Sequence, residues 1–199
     1  FKIKNNSHDL IIVECGIGKV NAAIVSTLLI KKFECNLIIF SGVAGAIDPE
    51  IRIGDLILGE SIIQYDYGAI ENGIVKVFRA GMIPMGYSKK NNDFKLDPKI
   101  RHLIKNIIPD LKIGKILTGD TYINCFNTRK YLFETFGAQV VDMESGAVAQ
   151  ASEQFGITAI IIRCVSDLAG ADGEKIAVSN LNKAAKNSFQ IVNKILKVF

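Results

Sequence analysis

Val140–Gly170 reads VVDMESGAVAQASEQFGITAIIIRCVSDLAG, and this stretch decides the fold. It opens as a short apolar strand, Gln139–Val141, and turns into a helix at Asp142. Within Met143–Phe155, apolar Met143, Ala147, Val148, Ala151 and Phe155 recur at helical spacing. Glu144 stands three, four and seven residues before Ala147, Val148 and Ala151, which puts its carboxylate on or beside that apolar stripe. A carboxylate there is costly unless it meets a partner or a ligand. A second apolar strand, Thr158–Val165, runs straight into Ser166-Asp167. Two carboxylates at the carboxyl ends of two buried strands fall where an open α/β sheet places its site.

Each of these residues also has a plain structural reading. Asp142 fits the N-cap of the helix that follows it. Glu144 either favours the helix N-terminus through the macrodipole or serves a ligand. Asp167 either caps a loop turn or belongs to a site. Arg163, inside the run Ile160–Val165, needs an acidic or polar partner if buried, and a nearby carboxylate would serve.

Composition narrows the classes. The chain has 199 residues, 49% hydrophobic and 22% charged, which suits one ordinary domain with a substantial core. A net charge of +4 with scattered Lys residues argues against nucleic-acid binding. No apolar run approaches the ~20 residues that span a bilayer. Cys15, Cys35, Cys125 and Cys164 have no paired spacing and read as reduced, buried thiols of a cytoplasmic protein. With only His8 and His102, and no Cys-x-x-Cys, a metal site has little to build on.

DMES on a strand-to-helix turn, followed by an apolar strand ending in RCVSD, resembles the nucleoside phosphorylase superfamily. Within it, the chain resembles the 5′-methylthioadenosine/S-adenosylhomocysteine nucleosidases. The likeness extends to GIGKVNAA at Gly16–Ala23, SGVAG at Ser41–Gly45, IGDLIL at Ile53–Leu58 and TGDTYIN at Thr118–Asn124. It implies a three-layer α/β fold with a central mixed β-sheet flanked by helices, an adenine nucleoside as substrate, no cofactor, and a homodimer.

The resemblance also assigns roles. Asp167 protonates the imidazole-ring nitrogen of the leaving adenine, with Ser166 orienting it and Arg163 in the catalytic group. Glu144 holds the ribose hydroxyls and stabilises cationic charge developing on the sugar. Met143 packs on the sugar face, while Asp142 and Gly45 border the ligand. Tyr122 stacks on the purine and the backbone of Ile123 reads its edge, although a core tyrosine fits Tyr122 equally well. Ile17 lines the pocket for the 5′-substituent, and Ala177 stands where the nucleosidases often carry an aromatic.

The reaction type turns on Phe40 and Val43. Phosphorylases of the superfamily carry an Arg two residues before the first Gly of this motif and usually a Ser just after it, both gripping phosphate. Phe40 and Val43 occupy those positions, and neither side chain donates a hydrogen bond. Water is therefore favoured over phosphate as the attacking group. The nucleosidases often have Ser at the Val43 position, so water placement differs here. A phosphorylase and a non-catalytic nucleoside-binding or adhesion protein are the alternatives, since fold alone does not fix activity.

The remaining expectations follow the chain. Phe1–Lys4 and Asp9–Glu14 are strands, and the resemblance places a strand and helix, with the water-activating Glu, upstream of Phe1; Glu14 is the only spare acid near the site. Cys15–Val20 is a glycine turn into a helix over Lys19–Phe33. It is not a Walker A loop, because Val13 stands where the first Gly is needed and Val20 replaces Ser/Thr. Leu37–Ser41 is a buried strand, and the glycine-containing stretch Gly42–Ala46 follows it. Leu56–Ile63 is a strand, Gln64 to Asp93 a long loop covering the site or meeting a neighbouring subunit, Pro98–Ile107 a surface helix, and Lys115–Thr118 a strand. Ser179–Phe199 is a terminal helix packed on the sheet.

Overall fold

The strand–helix–strand unit of residues 140–167 forms the middle of the molecule, as its apolar pattern requires. The computed structural model describes residues 2–4, 9–86, 92–170 and 173–199. In chain order the elements are β1 (Lys2–Lys4), β2 (Asp9–Ile11), α1 (Lys19–Phe33), β3 (Leu37–Ala46), β4 (Leu56–Gln64), β5 (Gly68–Glu71), β6 (Ile74–Val77), β7 (Phe94–Lys95), α2 (Pro98–Ile107), β8 (Lys112–Thr118), α3 (Phe126–Phe136), β9 (Val140–Asp142), α4 (Ser145–Gln154), β10 (Thr158–Asp167) and α5 (Gly173–Ile195).

The central sheet has the strand order β10-β3-β9-β8-β4-β7, and β4 also pairs with β10, so the sheet curls back on itself. β10 runs parallel to β3, and β8 runs parallel to both β4 and β9. The pairings of β3 with β9 and of β4 with β7 and β10 are antiparallel, which makes the sheet mixed. Helices α1 and α4 cover one side through Ala22, Ile30, Ala147 and Val148. On the other side α2 and α5 bring Ile104, Ile191 and Ile195 to the sheet. This is the three-layer arrangement that the resemblance implies.

β10 explains why the sequence folds this way. It is buried on both faces, so a continuous apolar run replaces simple alternation. Ile160 and Ile162 enter the core beneath α2 and α5, whereas Ile161 and Val165 enter the opposite one. Each such side chain contributes about 1.5–3 kcal/mol of burial. The strand consequently delivers its last residues, Ser166 and Asp167, to a fixed place at its carboxyl end.

Several expectations need correction. The strand expected over Leu37–Ser41 continues through Gly42–Ala46, which form the second half of β3. The stretch from Gln64 to Asp93 is not structureless: β5 and β6 form a hairpin closed by Asn72 and Gly73, both at positive φ (53° and 79°). Those dihedrals suit an Asn-Gly turn. Helix α3 is an addition, ended by Gly137 in the left-handed conformation. β2 stops at Ile11 rather than Glu14, and α5 begins at Gly173 and ends at Ile195. Cys125 is exposed and Cys15 and Cys35 are half-buried, so of the four thiols Cys164 alone is buried. Phe1 and His8 lie outside the described residues, as does the side chain of Ala177. Among the described residues, no helix is long and apolar enough to cross a membrane.

Candidate active site

Asp167 closes β10 and is 2% exposed. Its Oδ2 accepts from Ser166 Oγ at 2.9 Å and its Oδ1 accepts from the backbone N–H of Ala169 at 2.8 Å. Ser166 Oγ also lies 3.4 Å from the carbonyl of Ala44. Ala169 holds a positive φ of 48°, unusual for a residue with a Cβ, and this turn aims its N–H back at the carboxylate. Gly45 pairs with Asp167 across the β3–β10 ladder, and a Cβ there would sit 3.0 Å from Asp167 Oδ1. The glycine leaves room for the acid.

The strand-to-helix turn after β9 holds the second group. Asp142 accepts from Thr118 Oγ1 at 2.6 Å, from Ser145 Oγ, and from Arg163 Nε at 2.6 Å. The backbone N–H groups of Glu144 and Ser145 also point at its Oδ1. Asp142 is thus the partner that buried Arg163 requires; it closes β9 rather than standing at the N-cap of α4, a position that Glu144 holds, although its Oδ1 accepts from the N–H groups of Glu144 and Ser145. The Arg163 guanidinium, 2% exposed, lies over the Phe40 ring at 4.2 Å. A Cβ at Gly42 would stand 2.0 Å from Arg163 Nη1, so no other residue fits at position 42 while the guanidinium stays in place.

Glu144 is the third group. It precedes α4 and spans the gap to the glycine turn: Oε1 accepts from Gly18 N–H at 2.9 Å, and Oε2 lies 3.5 Å from Arg163 Nη2. Burial pushes its carboxyl above the usual range, against the pull of Arg163 and of the Gly18 N–H.

All three groups border one cavity of about 1140 Å³. Its lining contains every site residue read from the sequence: Ile17, Gly45, Tyr122, Ile123, Asp142, Met143, Glu144, Arg163, Ser166 and Asp167. Their settings differ. Ile17 and Tyr122 are 73% and 47% exposed at its mouth, while Ile123 is buried and Met143 half-buried. Asp142 has its oxygens taken up by protein donors, whereas Glu144 and Asp167 each hold fewer partners. The cavity also runs along β3 to the Leu181, Phe189 and Val192 side of α5. Among the described residues, no group of three or more His, Cys, Asp or Glu side chains is arranged to hold a metal ion.

Sequence reasoning missed Thr118 and Ser145, which complete the shell of Asp142, and Lys19, Asp66 and Asp120, which brace the glycine turn from behind. Thr118 and Asp120 fall in the TGDTYIN motif, so a motif was in hand but not the contact it makes.

Residues 2–197 match the sequence profile of the Phosphorylase superfamily, and the chain belongs to that family. Its curated relatives narrow the class. One from Mycobacterium tuberculosis, a 5′-methylthioadenosine/S-adenosylhomocysteine nucleosidase, is 32% identical over 97% of this chain and 83% of its own. A nucleosidase of the same name from Staphylococcus haemolyticus is 35% identical, covering 100% of this chain and 86% of its own. Among solved structures, the S-adenosylhomocysteine nucleosidase from Streptococcus pyogenes in complex with 5-methylthiotubericidin superposes with a TM-score of 0.86 at 27% identity, over 98% of this chain and 81% of that one.

Proposed function

We propose that the protein hydrolyses the N-glycosidic bond of 5′-methylthioadenosine and S-adenosylhomocysteine, releasing adenine and the thioribose. The observation that carries this reading is the pairing, across one cavity, of buried Asp167 on its Ser166 and Ala169 donors with Glu144 on the Gly18 N–H. Asp167 gives a proton to the imidazole-ring nitrogen of adenine as the glycosidic bond breaks and its electron pair moves onto the base. Glu144 holds the ribose hydroxyls and faces the positive charge that develops on the sugar. Water adds its oxygen to the anomeric carbon and releases its extra proton to solvent. Arg163 keeps Glu144 and Asp142 in place, Met143 packs against the sugar, Tyr122 and Ile123 receive the base, and Ile17 borders the 5′-substituent.

Phe40 supports water as the attacking group. Its ring lies on the Arg163 guanidinium and covers one face of the only buried cation described at the site. Adenine release from methylthioadenosine is expected at the same rate with and without orthophosphate. Formation of a ribose 1-phosphate product would instead make the protein a phosphorylase.

A homodimer belongs to the same reading. The hairpin and the segment after it expose Ile70, Ile74, Ile83 and Met85, apolar side chains that a second copy would cover. Light scattering on the purified protein is expected to give twice the chain mass, and a monomer at micromolar concentration would refute it. The free thiols fit a cytoplasmic location.

A further inference from the structure

We infer that Lys19, Asp66 and Asp120, none of which lines the cavity, form a positioning cluster that sets the orientation of the Glu144 carboxylate. The inference rests on the reading of Glu144 as the ribose ligand.

Helix α1 starts without a cap of its own. Gly18 at its N-cap has no side chain, and no acidic residue stands in the first turn. The leading N–H groups of a helix need partners from elsewhere. Two successive ones find carboxylates far away in sequence: Gly18 N–H donates to Glu144 Oε1 and Lys19 N–H donates to Asp120 Oδ1, both at 2.9 Å. The two peptide units meet at the Gly18 Cα, whose φ of 92° and ψ of 160° set the angle between their N–H groups, so holding the Lys19 N–H on Asp120 helps to fix the direction of the Gly18 N–H. Asp120 therefore aims the hydrogen bond that Glu144 receives.

Asp120 is itself anchored. Its backbone N–H donates to Asp66 Oδ2 at 2.9 Å. Lys19 Nζ donates to both oxygens of Asp66, at 2.7 and 2.8 Å, and lies 3.6 Å from Asp120 Oδ2. Three separate segments are thereby tied together: the glycine turn before α1, the residues after β4, and the loop after β8. Gly18 adopts a φ of 92°, and a Cβ there would come within 3.4 Å of Asp120 Oδ1. The turn and the aspartate are fitted to each other.

The charged and titratable groups facing Glu144 are Arg163 and Asp142, with the Cys15 thiol on the glycine turn. The Gly18 N–H favours the ionised form of Glu144, as Arg163 does, while burial and Asp142 oppose it. Loss of that N–H removes a stabilising donor, so the pKa of Glu144 rises further. The acid limb of kcat/KM must then move to higher pH.

The test uses methylthioadenosine turnover by Asp120→Ala, Asp120→Asn and Asp66→Asn, each with and without Glu144→Gln. Asp120→Ala is expected to lower kcat/KM about tenfold, mostly through KM, the size of one lost hydrogen bond to a charged group. Its acid limb should shift upward. Asp120→Asn keeps an oxygen for the Lys19 N–H and should recover most of the loss. Asp66→Asn loosens only the anchor and should show a smaller shift of the same sign; it also serves if Asp120→Ala fails to fold. In the Glu144→Gln background the Asp120 effect should vanish. An unshifted acid limb in both Asp120→Ala and Asp66→Asn, or an Asp120 effect that persists fully beside Glu144→Gln, would overturn the cluster's role. If Glu144→Gln alone leaves KM unchanged, it is the ribose reading of Glu144 that fails.

Discussion

Asp167→Asn is expected to lower kcat by about 10²–10⁴-fold, the usual span for loss of a general acid, with a smaller change in adenine binding. The local geometry tolerates the exchange. Asparagine Oδ1 would still accept from the Ala169 N–H, and its amide would face Ser166 Oγ, which can accept and turn its own proton toward the Ala44 carbonyl. Folding is thus retained while the acidic proton is lost. Circular dichroism and the melting temperature should stay near wild type, so a fall in kcat reads as chemistry. A variant within a factor of about three of wild type would remove Asp167 from the acid role.

The second large effect is on stability. Arg163→Met removes the positive partner of Asp142 in a pair whose side chains are 2% and 1% exposed. Stripping one member from a buried ion pair costs about 3–5 kcal/mol, because the other charge stays buried without compensation. Thr118, Ser145 and two backbone N–H groups still donate to Asp142, which places the expected loss toward the lower end of that range. Urea unfolding at neutral pH measures it directly. A loss below about 1 kcal/mol would mean that those donors alone satisfy the carboxylate.

Local features of this chain are legible in its sequence, and most contacts between distant residues are not. β10 and α4 were legible because a buried strand and an amphipathic helix each write their burial into local spacing. The acidic partner of Arg163 was foreseeable for a different reason: a guanidinium in an apolar run demands one, and Asp142 lies 21 residues away. The hairpin β5–β6 is hard to read although Asn72-Gly73 announces it, because the flanking strands are four residues each and bury no residue fully. Helix α3 buries fully only Leu132, so little periodicity marks it. The absent side chain of Gly42 serves Arg163, on the neighbouring strand, a need that no local pattern marks. The bonds from Gly18 to Glu144 and from Lys19 to Asp120 join residues more than a hundred positions apart, and no local pattern encodes such a meeting.

Arg163 has a thermodynamic consequence beyond its ion pair. An arginine carries about 2 kcal/mol of rotamer entropy when free. Asp142, Ser145, the Phe40 ring and the space kept open at Gly42 have already removed that freedom. In the proposed reaction, a nucleoside entering the cavity meets a cation that has nothing left to settle. Ordering that a looser site would repeat at every turnover happens here once, when the chain folds.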